Sequence, residues 1–422
     1  MGLLKSVLHG GVRNFNQMSM ADFEKEFFRH FYGGHKSTSG VMVNEETAMK
    51  FSAVYTCIKI ISEDIGMLPI EIRKWRDPRD KSKGSDFAYD HPLYDVLSNA
   101  PSPEMTSMIF EETLQSHILS SGNGYAYKKM NMRGQVTGLQ LLDWHAINPE
   151  RNKNTGKIEY KFMDREKEII LPFDEVFHIP GLGYDGIVGY SPIRMSMEAI
   201  GLGLAAEQFA SYFYSNGANV GGFIELPGAV KDKEGMKKEF QEKWGGLSKS
   251  HKVLFLEEGM KFQKLVMPLQ DAQFIETRKY QKQEIASIYR MPLKMIQDHD
   301  KSTYSNNEQQ ELDYVKHTLM PWIVRWEQSA GMRLLTKTDR EKGYFTRFNV
   351  DEMLRGDAKS RADVNHIKRQ DGVITGNEWR AEDNMNPRPE PEADMLIVNG
   401  NMRHISIVTS TDPVSGQPAG GE

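Results

Sequence analysis

The chain has 422 residues, 39% of them hydrophobic and 26% charged, enough to build two or three cores. Its formal net charge is −5, from 53 basic and 58 acidic residues, which argues against a generic nucleic-acid clamp with a strongly basic face. A single cysteine, Cys57, excludes an intrachain disulfide and suits a reducing compartment, and no run approaches the ~18 apolar residues of a membrane span.

Residues 1–40 are rich in Gly, Ser and His and read as a mobile arm, with one helical pattern near Ala21–Tyr32. Its start, MGLLKS, fits the short myristoylation pattern, which is common by chance, and is too weakly apolar for a signal peptide. Asn44 is a good helix cap, and Val54, Ile58, Ile61 and Ile65 then recur at helical spacing, with Gly66 as the expected end. Cys57 lies in that run and reads as a small core residue. Leu68–Trp75 alternates as a strand, Pro101 and Pro103 interrupt the chain, and a helix is expected over Thr106–Ser121.

Four strand patterns follow, GYAYKKMN, TGLQLLD, KIEYKFMD and EVFHIP. Their short Gly and Asn links favour hairpins, so an α/β body with a mostly antiparallel, meander-like sheet is expected. Ser191-Pro192 is a strong helix start, and one helix from there to Ser215 would be ~36 Å long. It is apolar almost all round, which usually means burial against several partners. Val220–Leu265 reads as a small unit of a strand, a charged helix over Lys231–Trp244 and two short strands, inserted between long helices, so its ends should lie close together.

Asp271–Gln328 is the most informative stretch. Its first helix is polar through Glu276–Glu284, either as a solvated face or as a bridge between subunits by charge pairs. The second helix has a seam of Leu312, Val315, Leu319, Trp322 and Trp326. Pro321 lacks the amide that would bond His317, so that helix should kink. The polar link Asp298–Asn307 is a solvated loop or one presented to a ligand. Phe348–Asn384 is again helical, with a capping box from Thr375 to Glu378, and the chain then turns to Pro, Gly, Ser and Thr, with disorder expected from Ser410.

Catalytic signatures are weak. Gly181–Gly186 is a literal G-x-G-x-x-G after a strand, which raises a nicotinamide-dependent oxidoreductase as an alternative. The helix signal, however, comes only at Ser191, so the glycines read better as a structural turn. His178 reads as a hydrogen-bonded sheet residue. No histidine or cysteine spacing suggests a metal site, and no phosphate-binding loop supplies an engine for ATP. No cofactor and no catalytic residue are expected.

The segments FSAVYTCIKIISEDIGMLPIEI, GNGYAY, GLGYDGIVGYSPI, DAQFIETRKYQKQEIASIYRMPLKMI, TYSNNEQQELDYVKHTLMPWIVRWEQ and ITGNEWRAEDNMNP occur in an order and over a span, roughly 40–390, that resembles the portal proteins of long-tailed bacteriophages. The resemblance implies an α+β portal-type fold that forms a ring, usually of twelve subunits, at one capsid vertex. It implies a wing over 41–190, stem helices over 191–217 and 267–297, and an inserted α/β clip over 218–266. A tunnel loop over 298–307, a kinked tunnel helix with a return to the wing over 308–347, a helical crown over 348–390 and a largely disordered tail over 391–422 complete it. DNA-channel positions would be Lys301, Ser302, Thr303, Tyr304, Ser305 and Asn306, with phosphate contacts from Lys301, Lys316 and Lys282. Glu276, Arg278, Lys279, Lys282 and Glu284 would make subunit contacts along the stem, with Pro321 at the kink. Lys231, Lys237, Lys238 and Trp244 would form the clip's partner surface. Implied partners are double-stranded DNA passing non-specifically, the terminase large subunit, a head–tail adaptor, and the major capsid and scaffolding proteins, with no membrane. The protein would be assembled in the host cytoplasm and reside in the virion. A channel-free scaffold protein is the third reading.

Overall fold

The computed structural model describes residues 35–165, 167–215, 222–225, 261–264, 271–296, 312–350, 358–383 and 385–397. The chain divides into a unit over Met1–Asn349 and a smaller one over Val350–Glu422.

The first unit opens with a small hairpin, β1 (His35–Lys36) and β2 (Met42–Val43). Asn44 does cap a helix, but a short one, α1 (Glu45–Ala48), through a capping box with Thr47. The apolar run forms a separate helix, α2 (Ser52–Met67), which buries Val54, Cys57, Ile58, Ile61 and Ile65. Gly66 does not end it. It lies in the last turn, where a Cβ would come within 2.8 Å of the Met108 carbonyl, so it permits a close helix approach rather than a cap. That neighbour is α4 (Ser107–Ser121), capped by Thr106, which presents Phe110, Leu114 and Ile118 to the core. The strand β3 (Ile70–Trp75), the strand β4 (Ser85–Phe87) and the helix α3 (Pro92–Ser98) lie between them in sequence.

The expected single meander is instead two antiparallel three-stranded sheets. In the first, β10 (Val176–Pro180) and β6 (Val136–Leu141) flank β5 (Asn123–Met130). In the second, β8 (Ile158–Asp164) lies between β7 (Ile147–Arg151) and β9 (Lys167–Pro172). The division has a packing cause. Tyr125, Leu142, Ile147, Tyr160 and Val176, drawn from both sheets, share one core, which a single flat meander could not enclose. A third sheet places β3 between β4 and β13 (Tyr344–Phe348), so the chain returns to its first strand after the long helices.

The predicted 36 Å helix is broken. Pro192–Met195 forms α5 and Met197–Ser215 forms α6, with Ser196 outside helical geometry at φ −109°, ψ 21°. The first turn is held by the α/β body, through Arg194 to Glu45 and Ser191 to Ser120, so the helix that follows takes its own course. Gly222–Glu225 (β11) pairs antiparallel with Lys261–Lys264 (β12), which brings the two ends of the inserted stretch together. Then come α7 (Asp271–Ile288), a helix that passes through a π-turn into α8 (Met320–Arg333), and a short capped helix, α9 (Lys337–Glu341).

The second unit has α10 (Ala358–Gln370) and α11 (Gly376–Glu382). The capping box expected at Thr375 and Glu378 is present.

Candidate functional site

The paired helices α6 and α7 and the helix that contains the π-turn and α8 carry the candidate site. Ser191 caps α5 by accepting from the Arg194 amide at 3.2 Å and donates to the Ser120 carbonyl at 2.7 Å. Arg194 reaches the buried Glu45 at 2.7 Å, and Glu198 accepts from the amide and hydroxyl of Thr38. Close approach is possible because α6 carries Gly203 where a Cβ would lie 2.7 Å from the Phe51 ring.

The polar middle of α7 resolves into two faces. Gln281, Ile285 and Ala286 are buried, and Arg278 pairs with Glu207 of α6 at 3.3 Å. Arg278 therefore has a partner within its own chain. Glu276 is exposed, and Lys279, Lys282 and Glu284 are half-buried. At the end of α7, Arg290 takes the left-handed conformation, φ 55°, and Tyr289 donates to the Leu119 carbonyl at 3.4 Å. Burial raises the Tyr289 phenol's pKa, so it stays a neutral donor.

Before Pro321 the helix widens into a π-turn, Val315–Leu319, in which the Met320 amide bonds the Val315 carbonyl five residues back. A proline two residues into the following helix has no amide to place, and the wider turn removes its clash with the preceding turn. The wider turn also shifts the buried seam. Val315 and Leu319 are buried as expected, but the next core position is Ile323, followed by Trp326 and Ala330. Trp322 is half-buried beneath the Arg325 guanidinium, and Leu312 is exposed. Lys316 is exposed on the π-turn.

Side-chain hydrogen bonds fasten this helix to the body. Tyr314 donates to Asp64 of α2 at 2.5 Å, Thr318 donates to the Arg290 carbonyl at 2.5 Å, and Trp326 donates to Gln115 at 2.8 Å. Burial, opposed by the Tyr314 hydrogen bond, raises the Asp64 pKa, and burial beside Asp64 raises that of Tyr314. Sequence periodicity identifies the seam but carries no signal for Asp64, Arg290, Tyr314 or Thr318. Their partners lie 28 and 250 residues away.

The Gly181–Gly186 turn is accounted for by backbone packing. The Gly181 amide donates to the Gly122 carbonyl at 2.7 Å, and a Cβ on Gly183 would lie 2.0 Å from the Val188 carbonyl. Asn123 fastens the end of the turn by accepting from the Gly189 amide at 2.7 Å and donating to its carbonyl at 2.9 Å. His178 is the hydrogen-bonded sheet residue that was expected, between Asn123 and Tyr160 at 3.1 Å each. Arg333 donates to the same tyrosine at 3.4 Å. Burial and the Arg333 charge push the His178 pKa down to about 3, so the ring is neutral. Donating to Asn123 from Nε2 leaves Nδ1 to accept from Tyr160. Cys57 has its thiol pushed up to about 12 by burial, as suits a core residue.

Of the residues predicted to line a channel or meet partners, Lys301, Ser302, Thr303, Tyr304, Ser305, Asn306, Lys231, Lys237, Lys238 and Trp244 lie outside the described residues. So do the helix proposed at Ala21–Tyr32 and the tail beyond Ser410. Among the described residues no cluster of three metal-ligating side chains occurs, and no helix is long and apolar enough to cross a membrane.

A family model described as phage portal protein matches residues 52–384. The chain belongs to that family. The portal protein of Enterobacteria phage HK97 is 30% identical over 371 residues, which cover 87% of this chain and 85% of the relative. The probable portal protein of Streptomyces phage phiC31 is 31% identical over 389 residues, 88% of this chain and 82% of that one. In fold, the chain resembles a protein in the neck of a native GTA particle, a structure computed with C12 symmetry, with a TM-score of 0.54 and 19% identity. That match covers 82% of this chain and 94% of the neck chain. The portal family resemblance and the α+β portal-type fold read from the sequence are thus borne out, whereas the residue roles along the channel remain proposals.

Proposed function

We propose that this portal chain assembles into a ring, of twelve copies, at one vertex of a phage capsid, and that double-stranded DNA enters and leaves the head through it. The observation that carries this reading is the family match, which runs through the α/β body, both long helices, the helix with the π-turn and the second unit. The ring is non-enzymatic. It docks the terminase large subunit during packaging and a head–tail adaptor afterwards, and contacts the major capsid and scaffolding proteins when the head is nucleated in the host cytoplasm. In the finished virion it stays at the portal vertex.

The charge balance supports passage of DNA rather than capture. Duplex DNA carries about one charge per ~1.7 Å, so a strongly basic channel would hold it tightly. A chain of net charge −5 can line a channel with few persistent phosphate contacts. We assign those contacts to Lys301, Lys316 and Lys282, the tunnel loop to 298–307, the clip to 218–266 and the crown to 348–390. Lys316 is exposed on the π-turn before Pro321, and Lys282 lies half-buried on α7. Glu276, Lys279, Lys282 and Glu284 serve subunit contacts along the stem, and Arg278 does so while paired to Glu207. Removing the chain from the phage that encodes it should leave heads without DNA; DNA-filled heads assembled in its absence would overturn the reading.

A further inference from the structure

The β1–β2 hairpin grips the start of α6. A Cβ on Gly201 would lie 2.3 Å from the Ser37 hydroxyl, and Glu198 accepts from the Thr38 amide at 3.0 Å. At about 100° per residue, Gly201, Glu198, Leu202 and Tyr212 share one sector of α6 roughly 100° wide. Ile200 and Leu204, which are buried, and Glu207, which faces Arg278 of α7, lie on the other side. Past the hairpin the gripped sector is open: Leu202 is 48% exposed and Tyr212 70%. The direction of the chain matters. Ser37 sits at Gly201 and Thr38 at Glu198, so the hairpin strand runs toward the start of α6. The residues that precede Ser37 are therefore directed the other way, along the open sector toward Tyr212. Among them the segment 21–32, outside the described residues, reads ADFEKEFFRHFY. At helical spacing Phe23, Phe27 and Phe31 share one face, with Lys25 and Arg29 opposite.

We infer that the segment 21–32 packs as a helix on this sector of α6 in its own chain, with Phe23, Phe27 and Phe31 covering Leu202 and Tyr212. A face of phenylalanines needs an apolar cover, and so do the open side chains of α6. The lengths agree. Tyr32 stands five residues before Ser37, a reach of at most about 17 Å, and Tyr212 lies about 16 Å along α6 from Gly201. A helix over 21–32 would be roughly 18 Å long, enough to span the ~15 Å from Leu202 to Tyr212. The short Gly33-Gly34 link holds the phenylalanines near this face at an effective concentration of about millimolar, which favours the chain's own arm over any other copy. The arm thereby extends the grip that Ser37 and Thr38 begin, and straps α6 to the body. A single chain suffices for this contact, so it goes beyond the ring reading and does not rest on it.

The test is thiol labelling of the full chain. Cys57 is buried, so Gln208→Cys, at an exposed position one turn before Tyr212, supplies the reactive thiol. Its reaction with Ellman's reagent is followed in the parent sequence, with Phe27→Asp and Phe31→Asp together, and with Lys25→Asp. The paired phenylalanine substitutions should speed labelling at least about tenfold, because each buried ring is worth tenfold or more. Lys25→Asp, on the opposite face, should leave the slow rate unchanged. Met132→Cys, at a fully exposed site in the β5–β6 turn, should react at one rate in every form. Hydrogen exchange of the unsubstituted chain gives a second measure that needs no variant: the amides of 23–32 should exchange at least about tenfold more slowly than in a free peptide. Equal labelling rates with and without the phenylalanines, or unprotected amides over 23–32, would overturn the inference. So would a slow rate that is lost on dilution to single chains, verified by light scattering, since the cover would then come from another copy.

Discussion

Neutralising the pH sensitivity of His178 should change how the protein's stability varies with pH. The imidazole lies between Asn123 and Tyr160, is almost fully buried, and has its pKa pushed from 6.5 down to about 3 by burial and by Arg333. In the unfolded chain it binds a proton near pH 6.5; in the folded chain it does not until about pH 3. Between those values the unfolded state holds more protons, so stability rises with pH. The contribution is complete above about pH 6.5 and is lost as pH falls toward 3. At about 1.4 kcal/mol per unit, lowering the pH from 6.5 to 4.5 removes on the order of 3 kcal/mol through this one residue. His117, whose pKa burial lowers to about 4, acts in the same direction, so a single curve cannot isolate either group. The comparison should therefore be made with His178→Gln, which keeps a donor toward Asn123 and cannot titrate. Urea unfolding, followed by tryptophan fluorescence at pH 7, 5.5 and 4.5, should show the variant less stable at pH 7 and the gap narrowing by about 3 kcal/mol at pH 4.5. Parallel curves for the two proteins would show that His178 is not held neutral by the network, and the reasoning would fall.

Tyr314→Phe should cost about 1–3 kcal/mol, because it leaves the Asp64 carboxylate short of its donor; hydrogen exchange should speed up first at the amides of the π-turn, and unchanged protection there would count against a fastening role. Trp326→Leu removes both a fully buried ring and the donor to Gln115, so thermal unfolding should report a loss of about 3 kcal/mol or more. Gly189→Ala would set a Cβ 2.1 Å from the Gly122 carbonyl, so little soluble protein is expected, whereas Gly134→Ala, in an open turn but at φ 73°, should cost only about 1 kcal/mol; equal yields and stabilities would contradict the close packing of that turn.

The local elements were legible wherever periodicity and caps agree. Val54, Ile58, Ile61 and Ile65 lie on the buried face of α2, α4 runs within one residue of the expected Thr106–Ser121, and the box at Thr375 and Glu378 is formed. What was not legible depends on distant partners. The break at Ser196 arises because Arg194 is drawn to Glu45, 149 residues away, and nothing near Ser196 announces it. Pro321 was readable as a disturbance of the helix, but the π-turn before it was not, so the seam was continued to Trp322 where the structure buries Ile323. Gly66 looked like a cap because the sequence cannot show the Met108 carbonyl facing it. Strand patterns gave the β5–β6 hairpin, but β7 and β9, which flank β8, were not read, and the division into two sheets follows from the shared core of Tyr125, Tyr160 and Val176. The candidate site was legible as two helices, while the π-turn and the side chains that fasten it came only from the fold.

Cryo-electron microscopy of the purified full chain tests the central claim most directly. Closed rings with a central channel wide enough for duplex DNA, the α6–α7 pairs arranged around it, are the expected result. Particles that remain single chains at every concentration, or closed assemblies without a channel, would contradict it.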